Sequence, residues 1–567
     1  MLNISGDNSL LLLAVLLVCI FAFVICLPTN LIPENLYPLA ILAIAFCLLF
    51  QVLWMSPYIM GSDVNTEYFL AGLASKTGHW SQNYPNQYEN ALSVTILPAI
   101  VQTLLAVDTT TIFKTMYPLA FSIVPVIMYL AYKHIVDSKR ALLSSIFFMS
   151  FSSFYQDVSF IGKEQIGQVI LALLLLFMLK GKLRSYAKPL TMLLLIAGLA
   201  ISHYSLAFIF VAFLLLTAPI LALLKMRRTI TTSFVALVGV LTFAWVISSA
   251  QGIAFNSLVQ LGYNVYEGTI LNFFSAGARQ PTVLKAFGVG VTPSPVNSID
   301  LVVHYVIQFF IVVGLVRLWK QRKSVNGEFL FFMYLSLLLV VVSVALPYFA
   351  AGLNFTRVYQ IALIFLSPAC VLGGESIFSK LFQAFSILNR NHYRASFISF
   401  SDRNLTLAAS IIILFLVFNT GFIHEVTGTS PISLSLGFNR MRESNNQGLL
   451  STLYEPFITE QDHASAEWLS SYMVSNSIVC GDYISRFHVL LSYAGIPLEQ
   501  GVYGITIMYP GPYGSIAGCD YVYLSYANLI LGFGWGWDNL YPMSEMNSTL
   551  QYTNIVYSNG GSNILED

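Results

Sequence analysis

Charged residues are scarce in this chain, so the ones set against its apolar runs are the first candidates for chemistry. Asp63 and Glu67 stand four apart in Gly61-Ser-Asp-Val-Asn-Thr-Glu67, directly after the apolar stretch 36–54. A helical segment would put both carboxylates on one face. A second group, Asp157, Lys163 and Glu164, straddles a turn and the start of an apolar run. A third, Asn354-Phe-Thr-Arg357-Val-Tyr359, opens another run. An ionisable group this close to the end of a membrane helix is a functional candidate because its burial is costly. Carboxylates can take a proton from a hydroxyl, and a guanidinium can hold a phosphate in two-pronged fashion.

The elements that must position these groups are membrane helices. Hydrophobic residues make up 56% of the 567 and charged ones 10%, with a mean hydropathy of +0.72. That composition excludes a soluble domain and exceeds a single anchor. No basic stripe points to nucleic acid. With no Lys or Arg ahead of the first apolar run, 10–27 reads as a retained helix and not a signal peptide.

Apolar runs of helical length give about twelve spans, at 10–27, 36–54, 116–132, 141–155, 161–179, 189–202, 204–224, 229–250, 301–318, 329–347, 358–372 and 405–423. The stretch 189–224 is folded into a hairpin about His203. Five connectors, 133–140, 180–188, 225–228, 317–323 and 380–403, hold 18 of the 27 Lys and Arg, and all fall on one side. The positive-inside rule then puts the N-terminus, loops 55–115 and 251–300, and everything after residue 424 outside. The fold expected is mainly α, a polytopic transmembrane bundle at 1–424, with a small exterior α/β domain at 425–567. The segment 91–107 is expected to lie along the exterior face or to re-enter, and the 251–300 loop to form a mobile, membrane-hugging lid.

The C-terminal stretch changes character, with 13 Asp or Glu against 3 Lys or Arg. Thr459-Glu-Gln-Asp462 reads as a helix start, and 477–480, 521–525 and 554–558 as strands. Cys480 and Cys519 could form one disulfide in an oxidising exterior.

An acidic motif in the first exterior loop, a second acid in the next, and an Arg-x-Tyr opening a late helix, in this order and on one side, resemble the GT-C type of membrane glycosyltransferase. These use polyprenyl-phosphate-linked sugars, like protein mannosyltransferases, aminoarabinose transferases and oligosaccharyltransferase catalytic subunits. The resemblance implies an inverting transferase in the plasma membrane. It would move a sugar from a polyprenyl-phosphate donor to an exterior glycan, lipid or protein acceptor. It gives Asp63 the acceptor, makes Asp157 the second-loop acid and sets Arg357 near the lipid phosphate. By their own placement Glu67 is a further catalytic acid, and Lys163 and His203 are further candidates for the donor phosphate. Glu164, Tyr359 and Arg279 are further candidates. Arg357-Val-Tyr359 carries one residue more than the family's Arg-Tyr pair, and Gly534-Trp-Gly-Trp-Asp538 only faintly matches the oligosaccharyltransferases' tryptophan motif. A divalent cation, Mg or Mn, could be held by the hard oxygens of Asp63 and Asp157. A surface-polysaccharide polymerase or ligase is an alternative within the same chemistry, and a lipid-linked glycan transporter or flippase is one outside it.

Overall fold

The computed structural model describes residues 8–27, 32–80, 86–180, 187–226, 230–388, 400–498, 504–508, 516, 518–537 and 539–566. Its contacts divide the chain into two compact units. One is built from 1–55, 81–93 and 115–439, the other from 56–80, 94–114 and 440–567.

The first unit is helical: α1 (Ser9–Cys26), α2 (Tyr37–Leu53), then, after the two helices of the second unit named below, α5 (Thr109–Tyr132), which starts in that unit, α6 (Ser138–Met149), α7 (Gly162–Leu179), α8 (Ala187–Ser202), α9 (Tyr204–Leu223), α10 (Thr232–Ser248), α11 (Ile253–Leu271), α12 (Pro295–Lys320), α13 (Gly327–Ala345), α14 (Phe355–Leu388) and α15 (Phe400–Asn419). Each of the twelve apolar runs read from the sequence overlaps one of these helices, with 141–155 and 405–423 running past the helix ends at Met149 and Asn419. Among the described residues, α2, α5, α7, α9, α12, α13 and α14 are long and apolar enough to cross a membrane. The pair α10 and α11 adds an eighth if counted as one span, although it bends by 90°. The chain is therefore a multi-pass helical membrane protein.

The loop expected at 251–300 is mostly helical. After the left-handed residues Ala250, Gln251 and Gly252, α11 runs for 19 residues. The aromatics Tyr263 and Tyr266 sit exposed on that helix. Hydrogen bonds stitch the stretch after it to the start of α14. Tyr348 N donates to Ala278 O at 2.9 Å, and Phe355 N to the Gln280 side chain at 2.9 Å.

Helices α12 and α14 meet backbone to backbone. A Cβ on Gly314 would lie 1.8 Å from Ala369 O, and one on Gly373 would lie 1.8 Å from Phe310 O. Membrane helices gain most from such close approach, since lipid tails compete equally for large apolar side chains.

The second unit holds α3 (Asp63–Thr77), α4 (Ile96–Leu105) and α16 (Glu460–Tyr472). The 91–107 segment thus contains a short helix with Leu97, Ile100, Leu104 and Leu105 exposed. A five-stranded sheet in the order β2-β1-β3-β7-β6 is formed by β1 (Ile478–Gly481), β2 (Gly504–Ile507), β3 (Tyr521–Leu524), β6 (Asn554–Ser558) and β7 (Asn563–Glu566). The pairs β1–β2 and β1–β3 are parallel, and β3–β7 and β6–β7 antiparallel. The short strands β4 (Phe533–Trp535) and β5 (Leu540–Pro542) pair separately. Asp538 lies outside the described residues.

Helix α16 starts as its sequence dictates. Thr459 and Asp462 form a reciprocal capping box, and Asp462 also accepts from Tyr523 OH at 2.6 Å. Cys480 and Cys519 are disulfide-bonded. Three elements of the first loop and the C-terminal region interlock: Ser492 Oγ donates to the Asn65 side chain at 3.0 Å, Ile59 N donates to Tyr493 OH at 2.8 Å, and Tyr58 stacks on His463 at 4.4 Å.

Replacing Gly373 or Gly314 with Ala should lower thermal stability in detergent by more than the roughly 1–3 kcal/mol of ordinary overpacking, because the obstacle is backbone. Gly72→Ala, with nothing within 4 Å of the added carbon, should be neutral. A second test concerns acid. Burial pushes the His488 imidazole from 6.5 down to about 4, so over that window the unfolded chain binds the extra proton and stability falls as pH falls. Burial raises Asp462 and Asp482, which act with opposite sign. Melting scans from pH 7 to 4 (~the span of that window) should therefore fall more steeply in the parent than in His488→Gln.

Candidate functional site

Within the helical unit, polar side chains collect where the segment 87–93 crosses the start of α7 and the break between α8 and α9. His203 breaks the two helices in an extended conformation and caps α9, its Nδ1 accepting from Leu206 N at 3.3 Å. The ring's other nitrogen therefore carries the hydrogen if the imidazole is neutral. Leu92 N donates to Ile201 O at 2.7 Å and Ser93 Oγ to Ser202 O at 3.0 Å, pinning the crossing segment to this break. Gly167 lets α7 approach it, since a Cβ there would come within 2.9 Å of the His203 Cβ.

Lys163 and Glu164, in the first turn of α7, are both buried. The Lys163 ammonium lies 3.6 Å from the centroid of the Tyr88 ring, a close cation–π contact. Glu164 accepts from Gln168 Nε2 at 3.2 Å. Glu89 and Asn90 are buried beside Tyr88 in the crossing segment, and Asn90 is held by Ser249 and, at 3.3 Å, by the Trp245 indole N–H. One cation, two carboxylates and an imidazole are thus enclosed by an otherwise apolar bundle. Such groups persist in membrane helices only when paired or used.

Asp157 sits nearby in sequence, on the turn ahead of α7. It is half-buried, and its carboxylate makes no hydrogen bond or ion pair among the described residues. The turn itself is rigidly held. Gln165 Nε2 donates to Val158 O at 3.0 Å and Ser159 O at 2.7 Å, and Phe151 packs edge-on against Tyr359 at 4.8 Å. That contact joins the Asp157 turn to the start of α14, where Arg357 lies half-buried.

Other candidates have structural posts. Tyr359 is buried and its hydroxyl accepts from Gln308 Nε2 at 2.6 Å. Two residues apart on a helix, it and Arg357 face different ways. Arg279 donates to Phe273 O at 2.9 Å and Ala345 O at 2.8 Å, tying the stretch after α11 to the end of α13.

In the second unit, Asp63 is the first residue of α3 and Glu67 follows on the same face, buried. A carboxylate there faces the positive end of the helix dipole. Gly61, at φ 114°, makes the turn into the helix, its N–H donating to Pro456 O at 3.2 Å. Among the described residues, no three His, Cys, Asp or Glu side chains converge as a metal-ion group.

Sequence reasoning picked Lys163, Glu164 and His203 individually, and the structure gathers them. It passed over Tyr88, Glu89 and Asn90. A signal was there, an acid and an amide directly before an apolar segment, the same pattern that singled out Lys163 and Glu164.

The family model for predicted membrane proteins, DUF2206, matches residues 188–565. No curated protein sequence matches the chain. Among solved structures, the chain is similar to the archaeal oligosaccharyltransferase AglB from Archaeoglobus fulgidus, at 13% identity and a TM-score of 0.49, over 87% of this chain and 70% of that one. It is similar to ArnT from Cupriavidus metallidurans at 10% identity and a TM-score of 0.45, over 93% and 97%. A third is the mycobacterial arabinofuranosyltransferase AftD, at 10% identity and a TM-score of 0.47, over 95% of this chain and 40% of AftD.

The contacts above separate structural from free charges. Asp157→Asn should leave the melting temperature unchanged, within about 0.5 kcal/mol, as for a side chain without partners. Arg279→Gln should expose the stretch after α11 to limited proteolysis, read by gel.

Proposed function

The chain belongs to the DUF2206 family of predicted membrane proteins, and we propose that it is a GT-C type glycosyltransferase using a polyprenyl-phosphate-linked sugar. The observation that carries this reading is the half-buried Asp157, whose carboxylate has no hydrogen bond or ion pair among the described residues, on a turn braced against the helix start that bears Arg357. A carboxylate with no structural duty and a cation on an adjoining element suit a reaction in which a hydroxyl loses its proton while a phosphate departs.

Transfer with inversion needs both. A positioned base contributes typically 10² to 10⁴-fold, and Arg357 would stabilise the negative charge growing on the leaving phosphate. Lys163, buried on Tyr88, adds positive potential at the same end of α7. His203, already a helix cap, is a positioning residue for the α8–α9 break. Asp63 takes the acceptor's hydroxyl on the strength of the sequence resemblance. A lipid donor accounts for a site at a membrane face, where the polyprenyl tail stays in the bilayer and the head enters from the side. In this reading the loops bearing Asp63, Asp157 and Arg357 face the exterior of a plasma membrane, and the acceptor is an exterior glycan, lipid or protein.

One observation favours a second reading, a lipid-linked glycan transporter. The 90° break between α10 and α11 is of the kind that transporters use to bind substrate.

Purified protein given a radiolabelled polyprenyl-phosphate sugar pool should release lipid phosphate and move label to an acceptor. Asp157→Asn and Asp63→Asn should each cut the rate about 10² to 10⁴-fold, and Arg357→Lys should not restore the activity lost in Arg357→Gln. Intact transfer in both acid variants would sink the assignment. Label crossing a proteoliposome membrane without being transferred would favour the transporter.

A further inference from the structure

Far from Arg357, the middle of α14 carries a second polar cluster. Glu375 is 18 positions further along the helix, about 27 Å at 1.5 Å per residue. Its side chain is buried and clamped from two sides. Arg140 of α6 engages both carboxylate oxygens, with Nε at 3.2 Å. Arg317 of α12 places Nη1 2.9 Å from Oε2, and the same nitrogen reaches Leu372 O and Ser376 Oγ. Arg140 also pairs with Asp137.

Beside the clamp is a cavity of about 500 Å³, lined among others by His134, Asp137, Arg140, Arg317, Gln321 and Ser324. That volume falls within the roughly 300–1,000 Å³ of small-molecule sites. Its donors exceed what the protein uses. Glu375 occupies only Nη1 of Arg317, and the remaining nitrogens of that guanidinium, the His134 ring and the Gln321 amide make no hydrogen bond among the described residues. The two turns that frame the cavity, 133–140 and 317–323, carry seven Lys or Arg. Among the described residues lining the cavity or the clamp, the carboxylates that stand against them are those of Asp137 and Glu375. A pocket with surplus planar donors, an excess of positive charge and a place at the basic end of a helical bundle matches the recognition of phosphate.

We propose that this cavity binds a phosphate group, held by the open edge of Arg317 with His134 and Gln321, at the membrane face opposite the Arg357 end of α14. The Glu375 clamp presets the Arg317 guanidinium, so the ligand meets an oriented donor instead of a free side chain. Two sources share this chemistry. One is the headgroup of an anionic phospholipid in the leaflet on the basic side, and the other is a free phosphate or phosphate ester in solution.

The test is thermal melting of the purified full chain in detergent, titrated separately with short-chain phosphatidylglycerol, short-chain phosphatidylcholine and inorganic phosphate. Saturable stabilisation by phosphatidylglycerol, absent with phosphatidylcholine, identifies a lipid headgroup. Stabilisation by inorganic phosphate that competes with the lipid identifies a free phosphate ligand. In either case Ser324→Trp, which fills the mouth and leaves the ion pairs intact, should abolish the effect, and Arg317→Gln should weaken apparent affinity at least tenfold. Because Arg317→Gln also strips Glu375 of a partner, Ser324→Trp is the deciding variant. The proposal is overturned if neither probe stabilises the parent, or if the stabilisation survives Ser324→Trp.

Discussion

Everything in the helical unit depends on how closely α14 approaches α12. In a bilayer, apolar side chains gain little by leaving lipid for protein, so helices are held by backbone proximity and by polar contacts that lipid cannot offer. The glycines at 314 and 373 permit the first. Glu375, gripped by arginines from α6 and α12, supplies the second. With its middle fixed this way, α14 can hold Arg357 at one end without relying on a loop.

The same economy governs the buried charges near His203. A lysine on an aromatic ring, a carboxylate with an amide partner at Glu164 and an imidazole used as a helix cap are all arrangements that lower the cost of charge in an apolar medium. Asp157 breaks the pattern, since its turn is well braced and its carboxylate is not. The turn is braced while its half-buried carboxylate has no hydrogen bond or ion pair among the described residues, which is why the proposed function gives it a role.

Much of this was legible in the residues. Twelve apolar runs overlap helices because hydropathy over helical length is nearly a sufficient condition in membrane proteins. The Thr459–Asp462 capping box and the strands near 478, 521 and 554 followed from local chemistry. What escaped is as instructive. Helix α11 was hidden because its Gly and Tyr content resembles a loop when burial is unknown. Glu89 and Asn90 have no periodicity to mark them as buried, and the partners of Asn90, Trp245 and Ser249, lie more than 150 residues away. The roles of Tyr359 and Arg279 could not be separated from those of Arg357 without seeing which donors and acceptors they meet.

The helix that begins at Asp63 shares its unit with the last 128 residues of the chain, and the Asn65–Ser492 contact closes a separation of 427 residues. During synthesis at roughly 5–20 residues per second, α3 leaves the ribosome long before its partner exists. For that interval Asn65, Thr66 and Glu67 stand without the surface that later covers them, and all the helices up to α15 must be inserted first. Assembly of the Asp63 region therefore follows synthesis of the segment 440–567. A chain terminated ahead of residue 440 could not complete this unit, which ties the Asp63 helix to a segment made long after it.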